Sequence, residues 1–190
     1  MKRHALLTGL AIVLTAGPAS AQDEAALATE GKALIQRFSA DLKSELLAAI
    51  EAGGPVNAIG VCHMRAPEIA SDLSSTSGWS VARSSHRLRN PDNAPDPYTE
   101  AVIEDFLARE AEGEQAADLT RAEIVEEDGR QAFRMVKAIP TGELCLTCHG
   151  GEDVPADVEA KLADLYPADK ARGFALGQMR GVFTLRKPID

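Results

Sequence analysis

Apolar residues recur at helical spacing over residues 23–52, where Leu27, Leu34, Phe38, Leu42, Leu46 and Ile50 fall on one stripe. That period predicts a long amphipathic helix, ended by Gly53-Gly54. A second helical stretch, "PVNAIGVCHMRAPEIASDLS", spans 55–74, and Pro67 must bend or restart it. The period then changes to two. In "GWSVARSSHRLRN", Trp79, Val81, Ser85 and Arg87 share one alternation, which predicts a strand over 79–87. "RNPDNAPDPYTE" (89–100) is a loop by composition, and "YTEAVIEDFLAREAEG" a short helix. "RAEIVEEDGRQAFRMVKAIP" reads as a hairpin, with strands at 121–127 and 131–138 turning at Asp128-Gly129. "PADVEAKLADLYPADKA" (155–171) is helical in character, and 179–187 favours a last strand. Four strands and several helices in this order predict an α+β fold, one antiparallel sheet with helices on one side.

The N-terminus changes the boundaries. Lys2 and Arg3 precede the apolar run Ala5–Ala16, and "ASA" at 19–21 suits a signal peptidase. The apolar run is about 12 residues, short of the roughly 20 that a spanning helix needs. Residues 1–21 are therefore expected to be a secretory leader, and 22–190 a single domain of an exported, periplasmic protein. No later segment is expected to cross a membrane. The chain carries a net charge of −9. The leader holds two basic residues and no acid, so its removal takes −9 to −11. Such an acidic chain argues against nucleic acid or anionic lipid as partner.

Candidate chemistry rests on three cysteines, Cys62, Cys145 and Cys148. The last two stand in "CLTCH" (145–149), the C-x-x-C-H spacing of covalent c-type haem attachment. Two thiols add to the two haem vinyl groups, and the next residue, His149, presents an imidazole to the iron. A thioredoxin-like pair would stand at a helix start in a βαβ unit, and no parallel βαβ pattern surrounds this one. A zinc site needs a further ligand pair, and Cys62, His63 and His86 have no such spacing. One covalent haem c is the expected cofactor.

The opposite axial position is less determined. Cys62 competes with His63, Met64, His86, Met135 and Met179, and a free cysteine is also a common core residue. Ile59, Cys62, Ala66 and Leu73 share a helical face at spacings of 3, 4 and 7. His63 lies about 100° away and Met64 about 200°. If that face packs inward, Cys62 faces the core. Arg65, Arg83, Arg87, Arg89 and Arg180 are candidates to meet a thiolate or the haem propionates, Arg180 being favoured by its flanking glycines. Trp79 and Tyr98 suit either the haem surroundings or the core.

Four stretches in order, "VCHMRAPEIA" (61–70), "RNPDNAPDPYTE" (89–100), "CLTCHG" (145–150) and "GQMRGVFTL" (177–185), resemble a family of exported PAS-like haem c proteins, formerly a domain of unknown function, with a cyanobacterial representative. The resemblance covers nearly all of the chain after the leader. It implies a PAS-like antiparallel sheet and a single haem c. It further implies iron held by the histidine of the haem motif and by the cysteine before Ala-Pro, which are His149 and Cys62 here. A thiolate ligand implies a low potential, and two axial ligands leave no open position for catalysis, so an enzyme is not expected. The expected role is a redox or gas sensor module. The alternative is a small soluble electron-transfer cytochrome. The implied partners are an unidentified protein, for signalling or electron exchange, and a diatomic gas.

Overall fold

A computed structural model of the protein describes residues 21–189, so the expected leader lies outside the described residues apart from Ala21. Helix α1 runs Ala21–Gly60, followed by a π-helical turn at Val61–Arg65 and by α2, Ala66–Ser77. Strand β1 (Ser80–Ser84) leads through a 3-10 turn at Pro91–Asn93 to α3, Pro97–Ala111. Strands β2 (Thr120–Glu127) and β3 (Arg130–Pro140) form the expected hairpin. Helices α4 (Glu143–His149) and α5 (Ala156–Leu165) precede β4, Met179–Ile189.

The sheet is antiparallel throughout, in the order β1-β4-β3-β2. The α+β expectation holds, but the helices do not keep to one side. Strand alternation sends Val81, Phe133, Met135, Phe183 and Leu185 to one face, where Phe38 of α1 and Ile69 and Leu73 of α2 cover them. The intervening Val136, Ala138 and Val182 pack on the other face under Val102, Ile103 and Phe106 of α3. Both faces read as apolar because both are covered. Trp79 and Met135 belong to the first core and Met179 to the second, and none of the three lines the cavity described below.

The long first helix is broken where the sequence says it must be. Gly54 has φ +74°, a conformation only glycine adopts freely, and Pro55 restarts the helix. Pro67 likewise stands at the start of α2 rather than inside a helix. Between them the backbone takes one π turn, closed by the Ala66 N–H donating to the Val61 carbonyl. Expected strand 79–87 stops at Ser84, so Ser85, His86 and Arg87 lie on a loop rather than on the strand's alternation. Expected helix 155–171 stops at Leu165, because Pro167 cannot continue it and residues 166–175 form an irregular segment.

Among the described residues the helical run Asp23–Ser77 holds an 18-residue window of mean hydropathy 1.2 and is, by length and composition, long and apolar enough to cross a membrane, a test that the core helix of a soluble protein also passes. Leu46, Ile50 and Ile59 of this run line a cavity.

Because each face has its own helix layer, Phe38→Ala and Phe106→Ala should each cost about 3–5 kcal/mol. The two losses should add to within about 0.5 kcal/mol, since the rings lie on opposite sides of the sheet. Urea unfolding of the single and double variants checks this; a mild effect at Phe106 would mean that the second face is not a core.

Candidate cofactor site

A cavity of about 350 Å³ opens between α1, the π turn, the end of β1 and α4. This lies within the size range of small-molecule sites. Its apolar wall is Leu42, Leu46, Ile50, Ala58 and Ile59, and its polar groups come from loops and strand ends. Cys145, Cys148 and His149 line it from α4, and Cys62 lines it from the π turn. All three cysteines are free thiols and are half-buried. The structure thus brings together residues separated by more than 80 positions in sequence.

The histidine is oriented from behind. The Nδ1 of His149 lies 2.9 Å from the Ala171 carbonyl oxygen. A carbonyl only accepts, so the proton sits on Nδ1 and the Nε2 lone pair is left for a ligand. Burial, and after it the charges of Arg89, Arg180 and Arg83, push the imidazole well below its usual pKa. The ring is neutral at neutral pH, as ligation requires. The main chain continues the anchor, with the Phe174 N–H donating to the His149 carbonyl at 3.0 Å and Gly173 N–H to Gly150 O at 2.8 Å.

Arg89 holds this arrangement from the loop after β1. Its Nη2 donates to the Cys148 carbonyl at 2.6 Å and to the Ala171 carbonyl at 3.1 Å, while Nε donates to Asp169 at 3.1 Å. The Arg89–Asp169 pair is well buried, at 11% and 9% side-chain exposure. Asp169 in turn accepts from the Ala171 N–H at 2.8 Å. Arg89 is therefore engaged in fixing the backbone under the histidine, and it also lines the cavity.

The other candidates separate clearly. Arg65 is bridged to Glu45 and Glu68. Arg87 donates to the Arg172 carbonyl at 3.0 Å and stacks over Phe174. Arg83 and Arg180 line the cavity, and neither forms an ion pair among the described residues. Arg180 Nε is buried with no hydrogen-bond partner. The close approach expected around Arg180 is present: a Cβ on Gly181 would stand 2.5 Å from the Ser84 oxygen. His63 and Met64 are exposed, and the His63 ring packs edge-on to Tyr166 with centroids 5.2 Å apart. His86 packs against Phe174 with its Nδ1 buried and unpartnered. Tyr98 faces away from the cavity, its ring beneath Arg134 and its hydroxyl on Glu123.

Sequence reasoning missed Asp169, Ala171 and Tyr166, all in or beside the segment read as helix. "YPAD" (166–169) carried the signal, since Tyr-Pro breaks a helix and an aspartate two residues beyond Pro167 favours a turn. Tyr166 is buried on the cavity wall, and burial first, then the neighbouring Cys62, raises its hydroxyl pKa to about 12.

A family model described as Tll0287-like matches residues 17–188, and the chain belongs to the Tll0287-like family. The membership expected from the four motifs is thereby shown. The crystal structure of the cyanobacterial haem protein Tll0287 superposes with a TM-score of 0.60 at 21% identity, over 85% of this chain and 96% of that one. At that identity the likeness establishes a shared fold. No curated protein matches the chain.

Arg89→Met should cost about 3–5 kcal/mol, because it leaves Asp169 buried without its partner and frees two carbonyls. Thermal unfolding measured beside Asp169→Asn checks this. A loss under about 1 kcal/mol would show that the clamp is replaceable.

Proposed function

We propose that this chain is an exported c-type protein carrying one haem, joined through Cys145 and Cys148, with iron held between His149 and Cys62. The observation that carries the reading is the pre-set histidine. A C-x-x-C-H helix lines a largely apolar cavity with its imidazole Nε2 free, and a thiol from a separate element lines the same cavity. The unpartnered Arg180 Nε, the neutral His149 and the three unpaired thiols all fit an anionic, iron-bearing guest. The family's cyanobacterial member is a haem protein, which agrees with that fit.

A bound haem supplies an iron that cycles between ferric and ferrous states and, where an axial ligand leaves, a place for a diatomic gas. His149 supplies the fixed ligand, because its ring is held from Ala171 and its helix from Arg89. Cys62, bound as a thiolate, would donate charge to the iron, favouring the ferric state and a low potential. With His149 and Cys62 both holding the iron, no position would be left for a substrate, so we assign no enzymatic activity.

The role that best suits this asymmetry is sensing of redox state or of a diatomic gas in the periplasm. Cys62 stands on a π turn, an irregularity frequent at functional sites, between the Gly54 kink and α2. Such a turn has an alternative α-helical register, which gives Cys62 a way to withdraw. A second reading, a small electron carrier, is favoured by the exposure of Leu144 next to Cys145, which brings the motif's edge toward solvent. Either role requires a partner protein.

Produced with a haem-attachment system, the exported protein should keep its pigment on a denaturing gel, and Cys145→Ala with Cys148→Ala should abolish it. The ferric protein should show a low-spin thiolate signature by electron paramagnetic resonance that Cys62→Ala removes. A colourless exported protein would overturn the haem reading, and an unchanged Cys62→Ala spectrum would remove Cys62 as ligand. Carbon monoxide binding to the ferrous form with loss of the thiolate spectrum supports sensing; rapid electron exchange with both ligands retained supports the carrier.

A further inference from the structure

Four arginines line the cavity, and the structure uses them differently. Arg89 is consumed by Asp169 and two carbonyls, and Arg87 by the Arg172 carbonyl and the Phe174 ring. Among the described residues Arg87, Arg83 and Arg180 have no carboxylate partner, and Arg83 and Arg180 have no side-chain hydrogen bond either. Elsewhere Arg65, Arg109, Arg121, Arg134, Arg172 and Arg186 each pair with a carboxylate. A guanidinium stays protonated in a protein, so two unmatched cations facing an apolar cavity are costly unless a guest brings the anions.

Both line the same cavity from neighbouring strands. β1 and β4 pair antiparallel with Arg83 opposite Phe183, three residues from Arg180. The Ser85 hydroxyl donates to the Arg180 carbonyl at 2.8 Å, and Gly181 lets the Ser84 carbonyl approach closely. Arg83 shares the strand face of Val81, toward α1, and lies over the Phe38 ring at 5.1 Å. Burial lowers the Arg83 pKa, with Cys62 opposing and Arg180 adding to the shift.

We propose that Arg83 and Arg180 together form the receptor for the two propionate carboxylates of the cofactor. This rests on the haem reading above. Charge counting selects the propionates over the axial thiolate. Ferric iron in a porphyrin dianion retains one positive charge, which a Cys62 thiolate cancels. The charge remaining on the group is that of two carboxylates, and two guanidinia are left to meet it, each able to bind in bidentate fashion.

The test uses the full chain, produced without haem attachment and titrated with haem and with haem dimethyl ester, whose propionates carry no charge. Quenching of the single tryptophan, Trp79, reports binding. Wild type should prefer haem by about tenfold or more. The Arg83→Leu/Arg180→Leu double variant should bind both forms alike, and Arg83→Lys/Arg180→Lys should restore part of the preference. Equal affinity of wild type for the two porphyrins overturns the assignment while leaving the haem reading intact. A preference that survives in the Leu double variant overturns it as well. If that variant does not fold, the wild-type ratio alone decides. Failure of both porphyrins to bind sinks the haem reading and this proposal with it.

Discussion

The site depends on one buried guanidinium. Arg89 reaches from the loop after β1 to the carbonyls of Cys148 and Ala171, and Ala171 is the residue whose oxygen holds His149 Nδ1. Helix α4 has seven residues, too few to be stable by itself. Its place is set by bonds from elsewhere: Arg89, the Asp169 carboxylate behind it, and the main-chain links to Gly173 and Phe174. A buried ion pair contributes little net stability against a hydrophobic replacement. Its consequence here is positional. It joins three segments distant in sequence at the point where a side-chain nitrogen must be aimed.

The facing wall is built on different terms. Cys62 sits between two interruptions of regular helix, the Gly53-Gly54 kink and the π turn. That segment is fastened by side chains: Ile59 among Val158, Leu162 and Tyr166, Asn57 to the Ala49 carbonyl, and Arg65 to Glu45. The Arg65–Glu45 pair is about 40% exposed on each side, so it contributes little. One wall of the cavity is thus fixed by buried polar bonds to backbone and the other by a modest apolar cluster and surface contacts. The two are unequal in how readily they can shift, and the more yielding one carries the thiol.

Much of this was legible in the sequence because period and punctuation agree. The stripe ending in Ile50 before Gly53-Gly54, the Asp128-Gly129 hairpin and the four strands all follow from residues whose local preference matches their place. The face holding Ile59, Cys62, Ala66 and Leu73 was legible too, although the π turn lies within it; Ile59, Ala66 and Leu73 are buried and Cys62 turns to the cavity. What escaped are features set by long-range contacts. Nothing local says that α3 covers the second sheet face, or that Arg89 answers Asp169, 80 residues away. Helix α4 escaped because its motif was read for chemistry and its order comes from other segments. Residues 166–171 were misread as helix because an amphipathic pattern was extended past Pro167.

The distribution of charge ties these observations together. The chain carries nine more acids than bases, yet its cavity is lined by four arginines and by no carboxylate. Asp169 is the carboxylate paired to one of them, and it neutralises the arginine that works on the backbone. Of the other three, Arg87 is held on the Arg172 carbonyl and Arg83 and Arg180 stand on strands β1 and β4, against a wall of Leu42, Leu46 and Ile50 that offers no counter-charge. In so apolar a setting a guanidinium's field is poorly screened. A cavity of this kind favours an apolar body that carries anionic groups over a cationic guest of the same size. The same field acts on His149, whose neutrality it helps enforce.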